Sequence, residues 1–176
     1  VKIGKITFEG NQVFSDRKLR KTFKKTHQKS INFFRSSKLK RKEYAEDKEN
    51  LLDFYNSRGY RNAVILSDSI YPISADRIGI TIKLDEGNKF YYRNVSWLGN
   101  SVYPTKQLDA MVGIIKGSSY DKKSLYKQLG IGKETNPDEM SVSTLYQSSG
   151  YLFSQIEPQE VVVGKDSVDL IIKIFE

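Results

Sequence analysis

The chain states one pattern twice. Ile6-Thr7-Phe8-Glu9-Gly10-Asn11 returns as Val95-Ser96-Trp97-Leu98-Gly99-Asn100, Tyr55-Asn56-Ser57-Arg58-Gly59-Tyr60 returns as Tyr146-Gln147-Ser148-Ser149-Gly150-Tyr151, and Ile78 to Glu86 returns as Val168 to Glu176. The displacements are 89, 91 and 90 residues, and self-similarity at a fixed period is the mark of a modular array. The fold must therefore be a small unit built twice, with boundaries expected at residues 1–87 and 88–176.

Each copy opens on a segment with branched and aromatic residues in imperfect alternation, Ile3, Ile6 and Phe8 in one and Tyr92, Val95 and Trp97 in the other, which predicts a half-buried strand. Gly-Asn then supplies a turn. Ser15-Asp16 and Thr105 are helix-capping types, followed by Leu19 and Phe23 or by Leu108, Met111 and Val112 at helical spacing. A polar connection leads to a second helix, marked by Tyr44, Leu51, Leu52 and Tyr55 and stopped by Gly59, or by Val142, Leu145 and Tyr146 and stopped by Gly150. An extended segment, a turn and a final strand follow. The final strands alternate Ile78, Ile80, Ile82, Leu84 and Val168, Leu170, Ile172, Ile174, the cleanest period of two in the chain. Each module thus reads β-α-α-β-β, an α+β fold with two helices covering one face of a three-stranded sheet.

The composition excludes several classes. The longest apolar bursts, such as Val161-Val162-Val163, have the length of strands and fall far short of the ~18 residues of a membrane span. Zero cysteines exclude disulfides and thiolate metal sites. The chain opens at Val1 and stops at Glu176, where the first copy continues with Gly87, so it reads as a piece of a longer array with any targeting or membrane segment outside it.

Catalysis requires convergent titratable groups, and the chain offers few. His27 is the only histidine and has no counterpart in the second copy. Gly130-Ile131-Gly132-Lys133-Glu134 departs from a phosphate loop, because Glu134 stands where Ser or Thr belongs. Asp166, Asp169 and Asp138-Glu139 lack the ligand ladder of a calcium loop. The reading is a non-enzyme without cofactor or metal.

Two features remain for binding. The charge is lopsided: residues 1–88 carry 19 Lys+Arg against 11 Asp+Glu, whereas 89–176 carry 10 against 10. Arg17 to Lys42 holds 12 basic residues and no acidic one, and Arg17, Lys21, Lys24, Lys25, Arg35, Lys38, Lys40, Arg41 and Lys42 form a candidate basic surface for an anionic membrane or an acidic partner. The second feature is the backbone. If the final strand lies in the middle of the sheet, the second strand is an open edge able to accept an extended peptide, at Asn62, Ala63, Val64, Ile65 and Leu66 in the first copy. Pro158 removes a donor from the equivalent stretch and should weaken pairing there.

A strand ending in Gly-Asn, a helix starting near Leu19 or Leu108, a helix closing in Tyr-x-x-x-Gly-Tyr and a last strand ending in Glu86-Gly87 together resemble the polypeptide-transport-associated, or POTRA, repeat. The resemblance covers both copies, and Ser36 to Tyr55 is similar to repeats of the BamA family of outer-membrane barrel-assembly factors. It implies periplasmic modules of an outer-membrane protein in a Gram-negative bacterium. The implied partners are unfolded outer-membrane proteins, bound partly by strand addition, and accessory assembly lipoproteins. A related polypeptide-secretion protein would look the same at this level. A KH-like nucleic-acid module shares the element order, but the Gly-x-x-Gly loop that it needs between its helices is missing from both copies, so no nucleic-acid partner is expected.

Overall fold

The computed structural model describes residues 1–28 and 38–176. They form two compact units, Val1–Tyr55 with Asn62–Gly87, and Asn56–Arg61 with Asn88–Glu176.

In the first unit, β1 (Lys2–Glu9), α1 (Asp16–Arg20), α2 (Arg41–Asn56), β2 (Val64–Ser74) and β3 (Arg77–Asp85) follow in order. The sheet order is β1-β3-β2, with β1 parallel and β2 antiparallel to the central β3. The period of two in β3 has the expected result. Ile80, Ile82 and Leu84 face the helices and are buried with Ile3, Ile6, Phe8, Leu19, Phe23, Tyr44, Leu51 and Tyr55. The imperfect alternation of the opening strand is a β-bulge: the register slips between Ile3 and Lys5, so residues three apart, Ile3 and Ile6, both reach the core.

The second unit repeats the order with β4 (Tyr91–Leu98), α3 (Thr105–Val112), α4 (Lys122–Leu129), α5 (Val142–Ser148), β5 (Gln155–Val163) and β6 (Ser167–Phe175), in sheet order β4-β6-β5. The same bulge recurs between Tyr92 and Asn94. Helix α4 lies in what the sequence presents as a polar connection. Asp121 caps it by accepting from the Ser124 amide at 2.9 Å, Leu125 and Leu129 reach the core at i, i+4, and Gly130 ends it at φ +74°. Thr105, expected as an N-cap, is the first residue of α3, and Pro104 takes the cap position.

The repeated Gly-Asn turn has a steric reason. Gly10 and Gly99 sit at φ +87° and +82°, and a Cβ on either would collide with the carbonyl of Leu84 or Ile174 at the end of the central strand. Asn11 Nδ2 donates to the Phe14 carbonyl at 2.8 Å, and Asn100 Nδ2 donates to the Tyr103 carbonyl at 2.9 Å.

Candidate strand-addition edge

A three-stranded sheet has two edges, and unpaired main-chain groups there must find other partners or remain open to an incoming strand. In the first unit the β1 edge is closed. The Ile6 amide donates to Gln28 Oε1 at 3.2 Å, the Ile6 carbonyl accepts from Arg20 Nη1 at 3.1 Å, and the Phe8 amide donates to Asp16 Oδ2 at 3.3 Å. Lys38 bridges Lys2 at the start of the strand. In the second unit, the start of β4 is covered by residues 117–120: Gly117 donates to the Tyr92 carbonyl at 2.6 Å, Tyr92 to the Ser118 carbonyl at 2.9 Å, and Tyr120 to the Phe90 carbonyl at 2.9 Å.

The β2 edge is different. The Ile80 carbonyl is turned to β1, where the Thr7 hydroxyl also reaches it at 3.4 Å. Because main-chain groups alternate in direction along a strand, Gly79, Thr81 and Lys83 turn to β2 and pair with Tyr71, Ser69 and Ser67. Ile65, Asp68 and Ile70, opposite Leu84, Ile82 and Ile80, then direct their amides and carbonyls outward. Pro72 falls on this same outward parity, where its missing N–H breaks no ladder bond. The side chains leave the edge accessible. Ten of the eleven β2 residues are exposed, including Leu66, Ile70 and Ile73.

Of the five residues expected at this edge, Val64, Ile65 and Leu66 lie in β2, whereas Asn62 and Ala63 precede it. The strand runs on to Ser74, farther than the sequence suggested, and a bulge between Ile65 and Ser67 divides its pairing. The stretch Ser67–Tyr71 therefore offers the longest regular, proline-free run. In β5, Pro158 pairs with Ile172, the register that Asp68 occupies opposite Ile82. Its ring stands in the middle of the outward row formed by Ile156, Glu160 and Val162.

Asp68 Oδ2 accepts from Lys48 Nζ at 2.9 Å. This ammonium holds the Asp68 carboxyl below its ordinary value, although partial burial opposes the shift.

The basic block is less uniform in space than in sequence. Arg17, Lys21, Lys24, Lys25, Lys38, Lys40, Arg41 and Lys42 are exposed, while Arg35 lies outside the described residues. Lys25 is paired with Glu46, and Lys40 with Glu43 at 2.9 Å. Two α2 carboxylates thus reduce the field of a segment that has no acid of its own. Among the described residues, no three His, Asp or Glu side chains gather as a metal site.

A sequence reading could not see two further carboxylates. Asp47, fully buried on α2, accepts from the Lys24, Lys25 and Thr26 amides at 2.8, 3.0 and 2.6 Å. Glu86 accepts from the Gln12 and Val13 amides at 2.8 and 2.9 Å and from Tyr55 Oη at 2.8 Å. These bonds fix the loops beside β1 to the helix and the central strand. They are scaffold, and their signal in the sequence is only the recurrence of Glu at the end of each final strand.

Comparison with known proteins gives a consistent result. A family model described as POTRA, surface antigen variable number repeat, matches residues 1–87 and again 90–176. The chain is 30% identical over 178 aligned positions to the outer membrane protein assembly factor BamA of Neisseria meningitidis serogroup B, covering 98% of this chain and 21% of that protein. Among solved structures it is similar to BamA from Haemophilus ducreyi lacking POTRA domains 1–3, with a TM-score of 0.71 at 19% identity over 100% of this chain and 29% of that one. It is also similar to POTRA3-5 of Haemophilus influenzae BamA, with a TM-score of 0.69 at 14% identity over 99% of this chain and 66% of that one. The chain thus spans about a fifth of the length of the Neisseria relative.

Proposed function

The chain belongs to the POTRA family over both of its halves, and we propose that it acts as a non-enzymatic periplasmic receptor in the assembly of outer-membrane β-barrel proteins, accepting an extended client segment on the β2 edge. The modules lie in the periplasm as part of an outer-membrane protein of a Gram-negative bacterium, and accessory assembly lipoproteins are further partners. One observation carries the reading. With the β1 edge closed by Gln28, Arg20 and Asp16, β2 is the long edge of the first unit whose outward amides, among the described residues, meet no side chain from another element. The relatedness to an outer membrane protein assembly factor supplies the client class.

The chemistry suits transient capture. Outward amides at Ile65, Asp68 and Ile70, with the carbonyls beside them, allow a handful of main-chain bonds at about 0.5–1.5 kcal/mol each. Ordering the incoming peptide offsets much of this, so binding is weak and release fast. Main-chain bonds read no side-chain sequence, which fits a receptor that must take many unfolded barrels.

The test is an amide NMR titration with a peptide copied from an outer-membrane barrel strand. Shifts are expected along residues 64–71. Asp68→Pro should abolish them with the fold intact, because β5 already accommodates proline at this register in Pro158. Asp68→Asn, which keeps the outward amide and gives up the carboxylate's ion pair with Lys48 and its interaction with Tyr44, should bind normally. Shifts confined to the basic residues 17–42 and fading as salt rises would overturn the edge mechanism.

A further inference from the structure

At one place the two sheets differ in kind: where the second carries an ion pair, the first carries two glycines. In the first unit Gly4 sits in the bulge between Ile3 and Lys5, and Lys5 pairs with Gly79. In the second, Arg93 sits in the bulge between Tyr92 and Asn94, and Asn94 pairs with Asp169. Arg93 Nε donates to Asp169 Oδ1 at 2.8 Å, on the face of the sheet turned away from the buried Val168 and Leu170.

The glycines of the first unit are covered. Gly79 lies between Ile78 and Ile80 on β3, so a side chain there would point away from the helices, yet the residue is buried. The Tyr71 ring buries it. Tyr71 is the β2 partner of Gly79, and a Cβ on Gly79 would run into that ring, with Cε2 and Oη both at 2.6 Å. Ile73 leans the same way, its Cδ1 standing 3.3 Å from the place of a Cβ on Gly4. Gly79 does not take a left-handed backbone, so its missing side chain is a matter of space. The ring lies inward over the central strand, and the flank of β2 that an incoming strand approaches stays clear. In the second unit Val161 stands opposite Asp169, and there the edge is broken by Pro158. The glycine thus accompanies the edge that can be used.

We infer that Gly79 is a positioning residue for strand capture: it gives the Tyr71 ring a place to lie over β3 and so keeps it off the outward row of Ile65, Asp68 and Ile70. This role rests on the reading of β2 as the receptor edge. A methyl group at residue 79 takes the place of the ring, which must then stand up from the sheet or swing outward beside the client. Ile70, next to Tyr71 in the chain, is the first outward position that it obstructs. A ring laid over a strand glycine also stabilises a sheet, and a purely stabilising contact predicts a different result.

The test is the NMR titration with the barrel-strand peptide, run on the parent chain, Gly79→Ala, Tyr71→Ala and the double variant. Gly79→Ala should bind roughly two- to tenfold more weakly, the equivalent of one main-chain bond. Its urea midpoint should not fall, because alanine is the better strand residue and only the far end of a flexible side chain has to move. Tyr71→Ala should bind like the parent. Adding Tyr71→Ala to Gly79→Ala should restore binding, since no ring is left to displace. Parent-level binding by Gly79→Ala would overturn the proposal. So would a double variant as weak as Gly79→Ala, or a lowered midpoint in Gly79→Ala that accounts for its weaker binding, since both are marks of a stabilising contact. A parent chain without shifts along residues 64–71 would overturn the receptor reading, and this role with it.

Discussion

Tyr55 Oη donates to Glu86 Oε1 at 2.8 Å, and Tyr146 Oη donates to Glu176 Oε1 at 2.9 Å. One bond thus recurs between the last turn of the helix that precedes the second strand and the end of the central strand. Each carboxylate also receives amides from the loop after the first strand, from Gln12 and Val13 in one unit and from Val102 in the other. The tyrosine of the Tyr-x-x-x-Gly-Tyr sequence is therefore the partner of the glutamate that closes the repeat. Landmarks about 30 residues apart in the chain meet at one point of the fold.

Tyr55→Phe keeps the buried ring and removes only the donor. A hydrogen bond to a charged acceptor contributes about 1.5–3 kcal/mol, and Glu86 retains its amide donors. The first unit should lose about 1–2 kcal/mol, read as a lower urea midpoint at unchanged slope. Glu86→Ala should cost more, because it orphans the Gln12 and Val13 amides as well. A Tyr55→Phe midpoint equal to that of the parent chain would show that the bond is energetically idle.

Asp47 makes the first unit sensitive to acid. Burial pushes its carboxyl up, but the amides of Thr26, Lys24 and Lys25 outweigh burial and hold it below its ordinary value of 3.8. A group depressed in the fold contributes stability that is fully present above its unfolded value and is lost as pH falls through the folded one. Asp47→Asn should therefore destabilise the first unit at pH 7 by about 1–3 kcal/mol. The gap to the parent chain should narrow below about pH 4, where the parent protonates. Urea titrations of both chains at pH 7 and pH 3 check this, and a gap of constant size would contradict it.

Two glycines of the second unit separate backbone strain from close contact. Gly113 at φ +66° has nothing near the position of a Cβ, so Gly113→Ala should cost about 1–2 kcal/mol for the left-handed backbone alone. Gly99 at φ +82° would also drive its Cβ into the Ile174 carbonyl. Gly99→Ala should cost at least twice as much, measured as loss of thermal stability. Equal losses would mean that β6 yields to the contact.

Much of this fold was legible in the sequence because the strongest signals lay in the central strands. The alternation of Ile80, Ile82 and Leu84 and its copy in Leu170, Ile172 and Ile174 fixed both cores. The bulged first strands were legible only as defects in period, since a bulge puts residues three apart on one face. Helix α4 was hidden because its exposed face is lysine-rich and only Leu125 and Leu129 carry its apolar stripe. Closure of the β1 edge by Gln28, Arg20 and Asp16 could not be read at all, because it depends on side chains brought beside the strand by the fold. The charge of the basic block was visible, but its partial neutralisation by Glu43 and Glu46 was not.

If proline alone separates the two edges, removing it should create a second receptor. Pro158 lies on the outward parity of β5, between Ile156 and Glu160. Pro158→Val supplies an outward amide there and leaves the ladder to β6 untouched, because the amide faces away from the sheet. One added main-chain bond at about 0.5–1.5 kcal/mol raises affinity roughly two- to tenfold. In the NMR titration with the barrel-strand peptide, Pro158→Val should show new shifts along residues 155–163 beside those of β2, insensitive to salt because no charge is involved. Shifts that stay confined to β2 would mean that an open row of amides is insufficient, and that the exposed apolar side chains Leu66 and Ile70 are what select the first edge.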